Sequence, residues 1–298
     1  MKRIGEISLK EKDLNKLKEY PLHDVICTES QIYYYKKDKD WNSILFKKLF
    51  VTDEKRVTRK INTIEALQDS ELSTYEELII PDELVLIGGV KSGFTIKEVV
   101  DSTNLYTFLR SKEVSDQDKI LVLKKIGELL KKIQNQSQEF YFGDLQEFNF
   151  LVDKDNIIHV VDLDSSAVSR KKPLETKYII IDKKTHSVPK YKVNSAGRCY
   201  PNYNIDNFCY NTMILNYLAG RDTHCLSFEE YYKYMDYLDY CGIPREMIDI
   251  FDNHYSNKDN ESVVDYLDEL RSDYRRANYK VYEHVKEVQE KRKSLILK

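Results

Sequence analysis

The sequence is poor in the residues that punctuate or staple small folds. Only 9 Gly and 6 Pro occur among 298 residues, which excludes collagen-like, linker-dominated and low-complexity chains. The 5 Cys are odd in number and scattered. No CxxC occurs, and no His sits at zinc-ligand spacing from a Cys pair, so neither a disulfide framework nor a zinc site is expected. The 6 His form no HExxH, which argues against a zinc peptidase. Unbroken apolar runs such as 84–87 fall far short of the roughly 20 residues a spanning helix needs. The opening MKRIGEISLK lacks the apolar core of a signal peptide. An excess of one charge is missing too. With 47 Lys+Arg against 50 Asp+Glu the net charge is -3, which removes any global drive toward nucleic acid or acidic membranes. A cytoplasmic protein without a membrane or nucleic-acid partner is therefore expected.

Hydrophobic residues make up 41% and charged residues 33%, and the length suits one large domain or two lobes. Tyr is abundant, 23 against a single Trp. The first half reads as strands with a helix among them. Residues 29–37 and 43–50 are aromatic and apolar runs around the polar DKDWN, an antiparallel pair. Val57, Ile61, Ile64 and Leu67 recur at helical spacing within 52–72. Strands at 83–87 and 91–100 flank the turn Gly88-Gly89. The second half reads as helices: a short one at 105–109, then 116–134 capped by Ser115, 205–218 ending at Gly220, 227–241, 244–254 and 261–274. A small hairpin is expected from 150–152 and 157–161. Residues 165–205 are long, polar and irregular apart from a strand-like 178–181, and loops of that length usually carry function.

One segment carries the chemistry. In YFGDLQEFNFLVDKDNIIHVVDLDSS, residues 141–166, Asp144 precedes Asn149 by five positions, and Asp162 ends the apolar run 157–161. Phosphoryl transfer from ATP needs such a set. One carboxylate accepts the proton of the attacking hydroxyl, while an amide oxygen and a second carboxylate hold Mg²⁺ against the phosphates. A hairpin between Asn149 and Asp162 brings the two metal ligands together.

These residues resemble the catalytic core of the protein-kinase-like superfamily, with its HRDLxxxxN-type loop and DFG. The GDL form, with Gly143 in place of Arg, is similar to aminoglycoside phosphotransferases and to several atypical bacterial kinases. The resemblance covers about residues 29–270. It implies an α+β, bilobal fold: a small β-rich N-lobe over 1–99 and a helical C-lobe over 100–272. Residues 273–298 lie outside it and read as a separate basic C-terminal helix, with eight Lys/Arg and four acids. The resemblance implies ATP and Mg²⁺ as cofactors and a protein substrate. It assigns Asp144 as base, with Asn149 and Asp162 as metal ligands; the carboxylate of Asp164, two residues from Asp162, either adds a metal contact or faces water. Lys47 in ILFKKLF takes the lysine that meets the α/β phosphates, with a register placing Lys48 inward left open. Glu65 is assigned as its partner on the following helix, with Glu71 as the alternative. Glu98 and Val100 would offer backbone groups to adenine, and Asp206 would open the buried central helix.

The chain departs from that pattern in several places. Between Lys18 and Lys37 there is no Gly, so no glycine-rich loop covers the phosphates, and Cys27-Thr28-Glu29-Ser30 is the candidate turn. Phe142 and Gly143 replace His and Arg, which implies no phosphorylation-gated switch of the usual kind. Gln146 stands where serine/threonine kinases carry Lys, and Asp164 stands where DFG carries Gly. The function expected is transfer of the ATP γ-phosphoryl to a Ser/Thr hydroxyl. A small-molecule kinase similar to aminoglycoside or choline kinases, and a pseudokinase binding module, are the alternatives.

Overall fold

The computed structural model describes residues 4–21, 30–39, 43–50, 53–136, 140–167, 203–220, 223, 228–253, 261–270 and 287. The architecture is mixed α+β, with a five-stranded sheet, a three-stranded sheet and several helices. The chain divides into two compact units. Residues 1–114 and 129–176 form the first, and 115–128 with 177–298 form the second.

In the first unit, β1 (Gly5–Leu9), β2 (Ser30–Lys37), β3 (Ser43–Leu49), β4 (Glu83–Ile87) and β5 (Val90–Lys97) form a sheet in the order β1-β4-β5-β3-β2. The β2–β3 and β4–β5 hairpins are those the alternation predicts. The short polar β1 is not legible in the sequence. It pairs in parallel with β4, Gly5 opposite Glu83, and closes that edge of the sheet. At the other edge the Tyr20 amide donates to the Ile32 carbonyl at 2.8 Å and the Tyr34 amide to Lys18 at 2.9 Å. Residues 18–20 thus lie along β2, with a four-residue α1 (Glu11–Leu14) between them and β1. The turn at 27–30 expected to cover phosphates lies outside the described residues but for Ser30.

The helix α2 (Glu54–Gln68) begins at Asp53, whose carboxylate accepts from the Lys55 amide at 3.0 Å. It is shorter than the expected 52–72, and a separate 3-10 turn follows at Glu71–Thr74. Its apolar stripe does what the spacing predicts. Val57, Ile61 and Ile64 pack with Leu49, Leu84, Phe94 and Ile4 in one core on a face of the sheet. Each such side chain contributes about 1.5–3 kcal/mol on burial. Two polar residues of α2, Lys60 and Thr63, are buried with that stripe.

A second sheet, β6-β7-β8, is built from β6 (Ser102–Asn104) and the hairpin β7 (Phe150–Asp153) and β8 (Ile158–Val160). Asn156 at φ 57 makes the hairpin turn. Helix α3 (Leu105–Arg110) starts with the Asn104 side chain accepting from the Thr107 amide at 2.8 Å.

Helix α4 (Asp116–Gln136) supplies residues to both units. In the second unit the core is α5 (Tyr203–Ala219), buried on nearly every described face. Gly127 of α4 lets Tyr210 of α5 approach: an added Cβ would meet the Tyr210 hydroxyl at 2.5 Å. That hydroxyl donates to the Leu123 carbonyl at 2.8 Å. Asp206 is buried in the first turn of α5. Helix α6 (Phe228–Tyr240) carries the tyrosine cluster, with Tyr231, Tyr234 and Tyr237 buried and Tyr232 and Tyr240 exposed. Helix α7 (Arg245–Asn253) follows, and the expected helix at 261–274 is a 3-10 segment, Val263–Glu269. No helix among the described residues is long and apolar enough to cross a membrane. The expected strand at 178–181 and the substrate-facing segment after residue 167 lie outside the described residues, as does the C-terminal basic helix apart from Glu287.

Candidate functional site

The sequence-predicted residues Lys47, Asp144, Asn149, Asp162 and Asp164 all belong to the first unit. The loop between α4 and β7 is closed by pairing: Tyr141 and Ala167 exchange both backbone hydrogen bonds, at 3.0 and 2.8 Å. That bridge ties the start of the Asp144 loop to the segment just after Asp162. Gly143, at φ 74, takes a backbone conformation that side chains with a Cβ rarely adopt. Gly143 thus serves the turn itself. Asp144 follows, and its Oδ2 accepts from the Gln146 Nε2 at 3.0 Å and the Asn149 Nδ2 at 3.2 Å. The Asn149 amide nitrogen also donates to the Asp144 carbonyl at 2.8 Å. Its nitrogen is therefore spent on Asp144, which leaves Oδ1 as the acceptor end of the side chain.

Asn149 and Asp162 are brought together by the hairpin. The Val161 amide donates to the Asn149 carbonyl at 2.9 Å. The next residue, Asp162, sits in the left-handed region at φ 65, ψ 36. For a residue with a Cβ this costs roughly 1–2 kcal/mol, and such strain persists where the surroundings enforce it, often at functional sites. A small pocket of about 10 Å³ is lined by Asp144, Asn149, Asp162, Leu163 and Ser166 among others. That is the room one water or one small ion needs. The side chains of Asp144, Asn149 and Asp162 carry hard oxygen donors, the ligand type that Mg²⁺ takes.

The β3 register settles which lysine points inward. Lys47 is buried and Lys48 is not. The Lys47 ammonium pairs with Asp162 and with Asp164, the latter at 2.8 Å. Burial alone would lower its pKa. The two carboxylates outweigh burial, and the lysine stays charged above its ordinary value. Gly93 of β5, paired with Lys48, takes a backbone φ of 157 that would aim a side chain at β3. A Cβ on Gly93 would stand 2.0 Å from the Lys47 carbonyl oxygen. Gly93→Ala is expected to push β5 off β3 and lower stability by about 1–3 kcal/mol. A drop in the urea midpoint at unchanged m-value is the readout.

Two assignments need correction. Glu65 does not pair with Lys47. Its carboxylate accepts from the Ile4 amide at 3.3 Å. Glu71, the alternative, is exposed in the 3-10 turn. The residue of α2 that reaches the site is Lys60, with its side chain 3% exposed. Five positions separate Lys60 from Glu65, about 140° around the helix at 3.6 residues per turn, so the two face different surroundings. Lys60 donates to Asp164 Oδ2 at 2.9 Å and to the Ser165 hydroxyl at 2.8 Å. Beside it the Thr63 hydroxyl donates to the Ser166 carbonyl at 3.3 Å.

Asp164 is likewise not placed as a metal contact. Its side chain is 1% exposed, one oxygen faces Lys47 and the other faces Lys60. It is not among the residues lining the pocket. Burial pushes its carboxyl up, but the Lys47 and Lys60 cations outweigh this and hold it well below the usual carboxylate range. Asp162 behaves in the opposite way. Burial around the carboxyl raises its pKa, Lys47 opposes the rise, and Asp164 adds to it. Its side chain keeps 39% of its surface open, so Asp162 is the carboxylate within reach of a ligand.

Glu98 and Val100 lie in the connection from β5 to β6. The Glu98 amide already donates to the Ser43 carbonyl at 3.0 Å, and its side chain hydrogen-bonds Tyr20. Val100 is 56% exposed, just before Asp101 turns the chain at φ 52. The Glu98 amide is thus spent within the sheet. Against known proteins, no family model and no curated protein matches this chain.

Proposed function

We propose that this chain is an ATP- and Mg²⁺-dependent phosphotransferase of protein-kinase type, with a bilobal kinase-like fold, that moves the γ-phosphoryl of ATP to a Ser/Thr hydroxyl. One observation carries the reading. Asp144 and Asn149 of one loop and Asp162 beyond the hairpin line one ion-sized pocket, and a buried strand lysine reaches Asp162. Asn149 Oδ1 and the Asp162 carboxylate would hold Mg²⁺, which supplies charge neutralisation on the phosphates. Asp144 would orient the acceptor hydroxyl and take its proton. Lys47 would exchange part of its pairing with Asp162 for a phosphate oxygen.

The small-molecule reading keeps support from the GDL loop, since the same chemistry serves either acceptor. The decisive experiment follows radiolabelled γ-phosphate from ATP, with autophosphorylation and candidate protein acceptors measured together. Thermal shift with Mg²⁺-ATP runs alongside. The wild type is expected to gain stability at millimolar nucleotide. Asp162→Ala is expected to lose the Mg²⁺-dependent part of that gain. Label transfer together with nucleotide stabilisation supports an enzyme. Stabilisation without transfer to any acceptor favours a binding module, and an Asp162→Ala variant with unaltered Mg²⁺ dependence removes the metal-ligand assignment.

A further inference from the structure

We infer that Lys60 is a positioning residue for Lys47, acting through Asp164 in the place the resemblance gives to a helix glutamate. The inference rests on the phosphotransferase reading and deepens it.

Four charges stand in a row of alternating sign: Lys60, Asp164, Lys47 and Asp162. The central carboxylate is held at both oxygens, 2.8 Å to Lys47 and 2.9 Å to Lys60. Buried at 1% exposure, it cannot turn without unpairing one ammonium in a low-dielectric surrounding, which is costly. Lys60 is itself anchored by the Ser165 hydroxyl and carried on a helix whose apolar stripe fixes it to the sheet. The anchor therefore runs from the core of the first unit, through Lys60 and Asp164, to the Lys47 ammonium.

An inward glutamate on α2 would bind Lys47 directly. Here the anion comes from the loop after β8, and α2 supplies the cation that neutralises it. The row carries two positive and two negative charges. Without Lys60 it carries one net negative charge, and Asp164 has Lys47 as its sole cation. Lys47 is then drawn onto Asp164 and turned from the pocket, and the remaining field repels phosphate. Both effects act on the phosphates of a nucleotide and leave its base and ribose untouched. A residue needed only for packing would show no such selectivity. Methionine or leucine at position 60 would fill the space at less desolvation cost.

The test uses the full chain as wild type, Lys60→Met and Lys60→Gln, with Kd measured by calorimetry for Mg²⁺-ATP and for adenosine. Lys60→Met is expected to weaken Mg²⁺-ATP tenfold or more while adenosine stays within twofold. Lys60→Gln, which removes the charge but keeps a donor for Asp164 and the Ser165 hydroxyl, leaves the same net negative row and is expected to give the same selective loss. It serves as the test should Lys60→Met fail to fold. Unchanged Mg²⁺-ATP affinity in either folded variant, or parallel weakening of both ligands, overturns the role of Lys60 and leaves the phosphotransferase reading standing. A wild type that binds no Mg²⁺-ATP overturns that reading, and the inference with it.

Discussion

Asp144→Ala is expected to slow phosphoryl transfer by about 10²–10⁴-fold, the usual worth of a positioned base, with Mg²⁺-ATP affinity nearly unchanged. The separation of the two effects follows from the hydrogen bonds of the loop. Asn149, the proposed metal ligand, is held by its amide nitrogen at two points, the Asp144 side chain at 3.2 Å and the Asp144 backbone carbonyl at 2.8 Å. Alanine removes only the first and longer of these. The carbonyl acceptor and the Val161-to-Asn149 backbone bond remain, so Asn149 keeps its place beside Asp162. What is lost is the carboxylate of a pocket-lining residue, the group proposed to orient the acceptor hydroxyl. Single-turnover transfer of labelled phosphate, set beside thermal shift with Mg²⁺-ATP, checks both halves. Full turnover in the variant means that this loop does not carry the chemistry, and parallel loss of binding means that Asp144 serves the metal instead.

Local pattern and long-range pairing were not equally legible. The α2 stripe, the β2–β3 and β4–β5 hairpins and the β7–β8 hairpin follow from residue periodicity and turn residues, because each depends on neighbours in the chain. β1 was invisible because a five-residue, mostly exposed strand has no apolar alternation, and its partner β4 lies some eighty positions away. Asp144, Asn149 and Asp162 were singled out by their spacing together with the hairpin between them, and Lys47 by the family pattern; the fold brings the first three to one pocket and Lys47 beside Asp162. The site was misread on α2. Glu65 was chosen by charge sign from a family pattern, although its helical angle turns it toward Ile4. The signal for Lys60 was present. Val57, Lys60, Ile61, Ile64 and Leu67 follow the i, i+3, i+4, i+7 spacing of a buried face, and a lysine on that face needs a buried anion. Asp164, two residues beyond Asp162, is that anion. It was read as a possible metal contact because its two cations are more than a hundred positions away in sequence.

Asp164→Ala is expected to lower the stability of the first unit by about 3–5 kcal/mol, the cost of stripping one partner from a buried ion pair. Lys47 retains Asp162, but Lys60 is left buried with only the Ser165 hydroxyl as acceptor. The loss should depend on pH with a defined sign. The folded state holds the Asp164 carboxyl well below its unfolded value of 3.8. Its contribution is therefore complete above about pH 4 and fades as the pH falls below that value, where the unfolded chain binds the proton more readily. The stability gap between wild type and variant, read from urea denaturation, should shrink as the pH falls from 5 toward 2.5. A gap that stays constant over this range means that the loss is a packing defect and not the removal of a charge. The double variant Lys60→Met with Asp164→Leu removes the stranded cation as well, and it should recover much of the loss, because apolar groups of similar volume carry no desolvation cost. A double variant as unstable as Asp164→Ala alone would mean that the row of charges is not what α2 contributes here. Recovery of stability without recovery of Mg²⁺-ATP affinity, by contrast, separates the two uses of the pair: the fold tolerates its removal, whereas the placement of Lys47 does not.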